Sequence, residues 1–185
     1  MKSNWLILVV FVGLVAIASG WVYQSTSNEA STRAELDIPN NIDYFLNDLN
    51  YRVMAEDGGL DYEFQSLHLE HHTITDSSKI TTPSLQIYRS DDIWLVDSIL
   101  GNFEHKQNSL EFSQQVVMQK KGLLPMQIFS ESLRFEPDLN LVSSDSSILM
   151  TSKNSRIEAE QAVFNLADKI YSLKRTRAVY HHDNS

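Results

Sequence analysis

From Tyr44 onward the chain alternates apolar and polar positions over short runs, and long helical periodicity is scarce. Tyr62, Phe64 and Ser66 alternate with Asp61, Glu63 and Gln65. The pairs Leu85 and Ile87, Trp94 and Val96, Leu110 and Phe112, and Leu133 and Phe135 keep the same two-residue period. Polar turn clusters separate these runs: EDGG at 56–59, RSDD at 89–92, HKQNS at 105–109 and SKNS at 152–155. Many short strands at this spacing predict an all-β sandwich or jelly roll.

A degenerate internal repeat supports that reading. The stretches 97–119, 130–151 and 159–180 share one plan: small and polar residues, an apolar strand, a polar turn, and a second apolar strand. The interval is about 30 residues, which suits stacked hairpin units rather than a closed enzyme fold.

The segment SLHLEHHTITD, residues 66–76, carries three histidines and a glutamate within five positions. On a strand, His68, Glu70 and His72 share one face and Leu67, Leu69 and His71 the other. Two imidazoles and a carboxylate on one face are zinc-type ligands if the sheet adds more. The alternative is a half-exposed strand with a polar face toward solvent. The H-E-x-x-H order of a helical zinc hydrolase is absent. His105 falls in a turn, and His181 and His182 in a polar tail.

The N-terminal pattern is different. Trp5 to Tyr23 is an uncharged apolar run. As a helix it would span roughly 28 Å at about 1.5 Å per residue, close to the ~30 Å hydrocarbon core of a bilayer. A cleaved signal peptide is the competing reading, with Lys2 as its basic start and Ala16-Ile17-Ala18 as a cleavage site. The apolar run continues past that site, and Trp5, Trp21 and Tyr23 sit where interfacial aromatics belong. The expectation is therefore an uncleaved anchor, 1–23, with its N-terminus inside. A polar linker, 24–41, a folded domain, 42–182, and a tail, 183–185, follow.

Composition narrows the function. The formal net charge is −9, and Lys2 is the one charged side chain before Glu29, so the remainder carries −10. Such a surface repels nucleic acid. There are no cysteines, which excludes disulfides and thiolate metal sites. No G-x-S-x-G elbow, phosphate-binding glycine loop or dinucleotide fingerprint occurs.

The order of features then becomes informative. An apolar anchor and a polar linker precede Pro39. GGLDYEFQSLHLEHH, a glycine turn feeding a strand, follows at 58–72; TTPSLQIY, a Pro-led strand, lies at 81–88; IWLVDS lies at 93–98; and the chain closes with KIYSLKRTRAVYHH at 169–182. This series resembles the LptC family, the single-pass inner-membrane component of the lipopolysaccharide export machinery. The resemblance implies an open β-jelly roll of the OstA/LptA type behind a single transmembrane helix, with the jelly roll in the periplasm. It implies a protein without cofactor, metal or enzymatic activity. It places the histidine segment on a strand. Two usual glycine positions of the family are occupied by Gln114 and Arg156, which puts local turn shapes in question.

A lipid crossing water needs continuous apolar cover, since each exposed acyl CH₂ costs about 0.8 kcal/mol. The inward positions expected to line such a groove are Phe64, Ile80, Leu85, Ile87, Trp94, Val96, Phe112, Met118, Phe135, Ile148, Met150, Ile170 and Leu173. Ordinary core is the alternative for each. By resemblance, the C-terminal edge, with Ile170, Leu173, Val179 and Tyr180, meets the bridge protein LptA. The N-terminal edge, with Tyr44, Leu46, Leu49, Tyr51 and Val53, and the anchor helix meet the LptB–LptF–LptG transporter. Two other readings remain open: a membrane-anchored periplasmic adaptor that binds only proteins, and an anchored metal-dependent hydrolase using His68, Glu70 and His72.

Overall fold

The computed structural model describes residues 41–89, 92–122 and 124–180. The expected anchor, nearly all of the linker, and the tail lie outside them. Among the described residues no helix is long and apolar enough to cross a membrane.

Among the described residues fourteen antiparallel strands form one continuous sheet that folds on itself into two layers. They are β1 (Ile42–Met54), β2 (Leu60–His72), β3 (Ser77–Thr81), β4 (Ser84–Arg89), β5 (Asp92–Asp97), β6 (Leu100–Glu104), β7 (Ser109–Lys121), β8 (Met126–Glu136), β9 (Leu141–Ser144), β10 (Ile148–Ser152), β11 (Ser155–Ala159), β12 (Gln161–Asn165), β13 (Ile170–Lys174) and β14 (Arg177–Tyr180). The long strands β1, β2, β7 and β8 run through both layers. The end of β2 pairs with β3, and its start pairs with β4. The first layer continues through β6, β7, β8, β9, β12 and β13; the second continues through β5, β7, β8, β10, β11 and β14. Strand β1 ends the sheet on one side, and β13 and β14 end it on the other.

The crease between layers has a backbone cause. Asp48, Thr82, Gln114, Gln115 and Arg175 all have left-handed backbones at the crease, with φ of 50°, 49°, 66°, 55° and 51°. Asp48 bends β1 and Gln114 and Gln115 bend β7, while Thr82 and Arg175 turn the chain from β3 to β4 and from β13 to β14, each at about 1–2 kcal/mol for a side chain other than glycine. Backbone hydrogen bonds sew the crease together, among them Thr82 N–H to Ile99 O at 2.8 Å and Ile99 N–H to Gln114 O at 3.1 Å. The usual glycine position held by Gln114 is therefore a bend. Arg156 is ordinary extended strand, opposite Val179 and bonded to Glu158.

The crease also resets the alternation of side chains. In β2, Phe64 and Ser66 are buried, and then so are Leu69 and His71. In β8 the buried set passes from Ile128 and Ser130 to Leu133 and Phe135. Leu67, expected to share a face with Leu69 and His71, lies at the reset and is 58% exposed. The remaining left-handed non-glycine residues close the first-layer turns: Asp76, Asn108 and Asn140, evenly spaced by 32 positions, and Lys169. Asn108, Asn140 and Lys169 fall one in each unit of the sequence repeat, 97–119, 130–151 and 159–180.

The two layers enclose one apolar core. Trp94, Ile87, Phe112, Met118, Ile128 and Phe164 are all at most 1% exposed. Opposite the crease the layers meet at a rim. Tyr62 touches Phe135 edge-on at 6.3 Å between centroids, and Trp94 touches Tyr171 at 6.0 Å. Polar groups clasp outside them. Arg89 of the second layer donates to Asn140 of the first at 2.8 Å and is also bonded to the Asp61 carboxylate. Asp92 accepts Lys120 at 2.9 Å and lies 3.7 Å from Lys169 of the first layer.

Candidate functional site

Strand β1 forms the mouth of a cleft between the layers. Tyr44 and Leu46 come from its first-layer half and Leu49 and Tyr51 from its second. The left-handed Asp48 between them turns both pairs inward despite the broken alternation. The cleft holds about 420 Å³, with Phe64, Leu69, Ile80, Leu85, Leu110 and Phe135 in its walls and Tyr62 and Phe103 beside them. Its mouth is wide: Tyr44, Leu46 and Tyr51 are 41%, 42% and 54% exposed. The volume lies near the lower end of ordinary ligand pockets (~300–1,000 Å³), so a lipid with several chains enters only if the layers part.

One end of the cleft is polar. The buried Ser78 hydroxyl lies 3.3 Å from His71 Nδ1 and 2.9 Å from His105 Nε2. The Tyr44 ring stacks on His71 at 4.8 Å, and His105 meets Phe103 edge-on at 4.9 Å. Burial among these walls raises the Tyr62 phenol above its ordinary pKa, with the neighbouring Tyr51 and Asp61 adding to the effect.

His68, Glu70 and His72 share the outer face of β2, as the strand period requires. Glu70 stands between the rings, with His68 Nε2 3.0 Å from one oxygen and His72 Nε2 3.9 Å from the other. Their Nδ1 atoms meet Asn47 and Asn41. His68 Nε2 is hydrogen-bonded to one carboxylate oxygen, while His72 Nε2 is buried beside the other without a hydrogen bond, so the rings do not converge on a shared coordination point. Among the described residues no group of three His, Cys, Asp or Glu is arranged to hold a metal ion. His105 joins His71 instead, across the layer.

Of the expected lining, Phe64, Ile80, Leu85 and Phe135 bound the cleft, while Ile87, Trp94, Val96, Phe112, Met118 and Ile148 fill the deeper core. Met150 and Leu173 are half-buried against that core. Ile170 is a correction. It is 64% exposed, because the two-residue period puts it on the outer face with Ser172 and Lys174 while Tyr171 and Leu173 turn inward. The sequence reading missed Tyr62, Leu69, Phe103 and Leu110 as walls. The alternation signal was present at Tyr62 and Leu110, but the resets at the crease hide which face Leu69 takes.

Both ends of the sheet are edges among the described residues. Strand β1 pairs only with β2, and β14 only with β11. All four residues of β14 are exposed, Val179 and Tyr180 included. Val53 is half-buried opposite Tyr62. Beside it, Arg52 is bonded to Glu63 across the β1–β2 pair at 3.1 Å. Hydrogen bonds from Gln65 and then Arg52 hold the Glu63 carboxyl below its ordinary pKa.

Residues 7–181 match the family described as lipopolysaccharide-assembly, LptC-related. Among curated proteins no sequence matches. Among solved structures the chain is similar to LptH of Pseudomonas aeruginosa, described as the LptA-homologous periplasmic component of the lipopolysaccharide transport device. The TM-score is 0.53 at 8% identity, over 65% of this chain and 95% of that one. At that identity the likeness speaks for the fold alone.

Proposed function

The chain belongs to the LptC family of lipopolysaccharide-assembly proteins, and from that premise we propose that it is a non-catalytic conduit receiving lipopolysaccharide from the inner-membrane LptB–LptF–LptG transporter and handing it to LptA. On this reading residues 1–23 anchor it in the inner membrane, and the jelly roll stands in the periplasm. The observation that carries the reading is the apolar interior that opens at β1, a strand with one partner among the described residues. The side chains at its mouth, Tyr44, Leu46 and Tyr51, are large, apolar and exposed. Burying them favours a ligand or partner that continues the apolar surface.

The edges supply the docking chemistry. The N–H and C=O groups of β1 and β14 that have no partner strand among the described residues recruit a further strand. We assign β1 to the transporter side and β14 to LptA, which lets one groove run through the three proteins. The net charge of −10 beyond the N-terminal segment fits a domain that holds an anionic lipid mainly by its chains.

The packed interior favours one other reading, an adaptor that binds proteins and takes up no lipid. A reconstituted transfer assay separates them. Ala178→Pro and Val179→Pro are made in turn. Neighbouring N–H groups in a strand point to opposite sides, so one of the two removes a donor from the free edge and spares the β11 ladder. The conduit reading expects both proteins to load lipid from the transporter, and one of them to pass it to LptA at near background. Wild-type protein that never carries lipid would leave the adaptor standing.

A further inference from the structure

The rim opposite the crease carries a use beyond closing the core. Among the described residues it holds three cations, Arg89, Lys120 and Lys169, each paired with a rim carboxylate, Asp61 or Asp92. Among the described residues, Lys120 and Lys169 share one carboxylate, Asp92, which is itself only 8% exposed. Lys120 is further fixed over the Trp94 ring at 5.6 Å. Two of the contacts, Arg89 to Asn140 and Asp92 to Lys169, cross from one layer to the other.

A lipid with several chains and a large hydrated head imposes a constraint on such a sandwich. Its chains seek the interior, and its charged head cannot leave water without a heavy desolvation cost. The crease is continuous backbone, sewn by hydrogen bonds. A headgroup can stay outside during passage only along the opposite rim, and there the clasps stand in the way.

We propose that this rim is a lateral gate opened by a phosphorylated headgroup, whose phosphates take Arg89 and Lys169 in exchange for Asn140 and Asp92. Lys169 trades one anion for another, while Arg89 keeps the Asp61 carboxylate and gains a charged acceptor in place of the neutral Asn140 amide. A phosphate accepts from guanidinium and ammonium as a carboxylate does. When the clasps part, the layers swing about the crease, and Lys120 keeps Asp92 as its partner. The left-handed crease residues set the axis. This inference rests on the conduit reading and adds to it the entry route and the chemical class of the head.

The absence of cysteine makes the test clean. In full-length protein, Arg89→Cys with Asn140→Cys is bridged by a short bis-maleimide reagent. Unbridged and bridged proteins are offered lipopolysaccharide and, separately, a fluorescent fatty acid without a bulky head. The gate expects bridging to lower lipopolysaccharide loading at least tenfold and to leave fatty-acid binding at the β1 cleft unchanged. Equal loading of bridged and unbridged protein would overturn it. Failure of wild-type protein to take lipopolysaccharide at all would overturn the conduit reading instead.

A second arm tests the phosphate. Lys169→Gln is expected to weaken binding of the phosphorylated lipid several-fold and to leave the enzymatically dephosphorylated lipid unchanged. Millimolar inorganic phosphate is expected to compete weakly, since it brings no chains. Equal loss for both lipids would show that the cation does not read phosphate. Competition by free phosphate as strong as by the phosphorylated lipid would reassign the site to the free ion.

Discussion

The centre of the sandwich and its β1 end are built from the same residue types and held very differently. At the centre, Trp94, Phe112 and Phe164 are buried to 1% exposure or less, between layers sewn at the crease and clasped at the rim. At the β1 end, Tyr44, Leu46 and Tyr51 stand about half out, on a strand with one neighbour among the described residues. Burial of a large apolar side chain supplies stability in proportion to the area removed from water, so the centre holds the fold together. The end contributes little, and elements that open for ligands are drawn from such weakly held regions.

The largest effect expected lies at the centre. Phe112→Ala leaves a cavity among fully buried neighbours and should cost about 3–5 kcal/mol in urea denaturation. It should disable function only through unfolding. Leu46→Ser at the mouth should do the converse. At 42% exposure it should cost less than about 1 kcal/mol, yet lower lipid loading several-fold in the transfer assay. A Leu46→Ser protein that is as destabilised as Phe112→Ala would erase the distinction between the two regions.

The crease sharpens the comparison from the backbone side. Gln115→Gly removes a left-handed side-chain penalty of about 1–2 kcal/mol, offset by the greater freedom of glycine in the unfolded chain. A net gain of up to about 1 kcal/mol is expected in the same denaturation measurement. A clear loss would show that the Gln115 side chain, not its backbone, holds the bend.

The smallest effect belongs to the β1–β2 pair. Because the Glu63 pKa is lowered in the fold, its contribution is present above the ordinary glutamate pKa. It is lost as pH falls through the lowered value. The stability difference between wild type and Arg52→Ala should therefore be small at neutral pH and vanish in acid. A difference that persists in acid would point to packing of the arginine stem instead.

Much of this architecture was legible in the sequence. The two-residue period marks Tyr62 to Ser66, Leu85 to Ile87 and Trp94 to Val96 as strands, and the repeat of about 30 residues appears in the turn residues Asn108, Asn140 and Lys169. The facing of particular residues was less legible. Alternation fixes a face only within an unbroken strand, and the crease resets it without a glycine to announce it. Unbroken alternation groups Leu67 with Leu69 and His71, and the reset separates it from them. The apolar character of Ile170 points inward, whereas its phase along β13 puts it outside. The rim was invisible because Arg89 and Asn140 are 51 positions apart, and Asp92 and Lys169 farther still. Only folding about the crease brings them together.

The most direct test of a lipid-bearing interior is photo-crosslinking in cells. A photoreactive phenylalanine analogue replaces Phe64, an aromatic wall of the cleft, and in a second strain replaces Gln65, exposed on the other face of the same strand. The account expects an ATP-dependent lipopolysaccharide adduct at 64 and none at 65. Adducts at neither position, or equally at both, in folded protein at normal abundance, would contradict it.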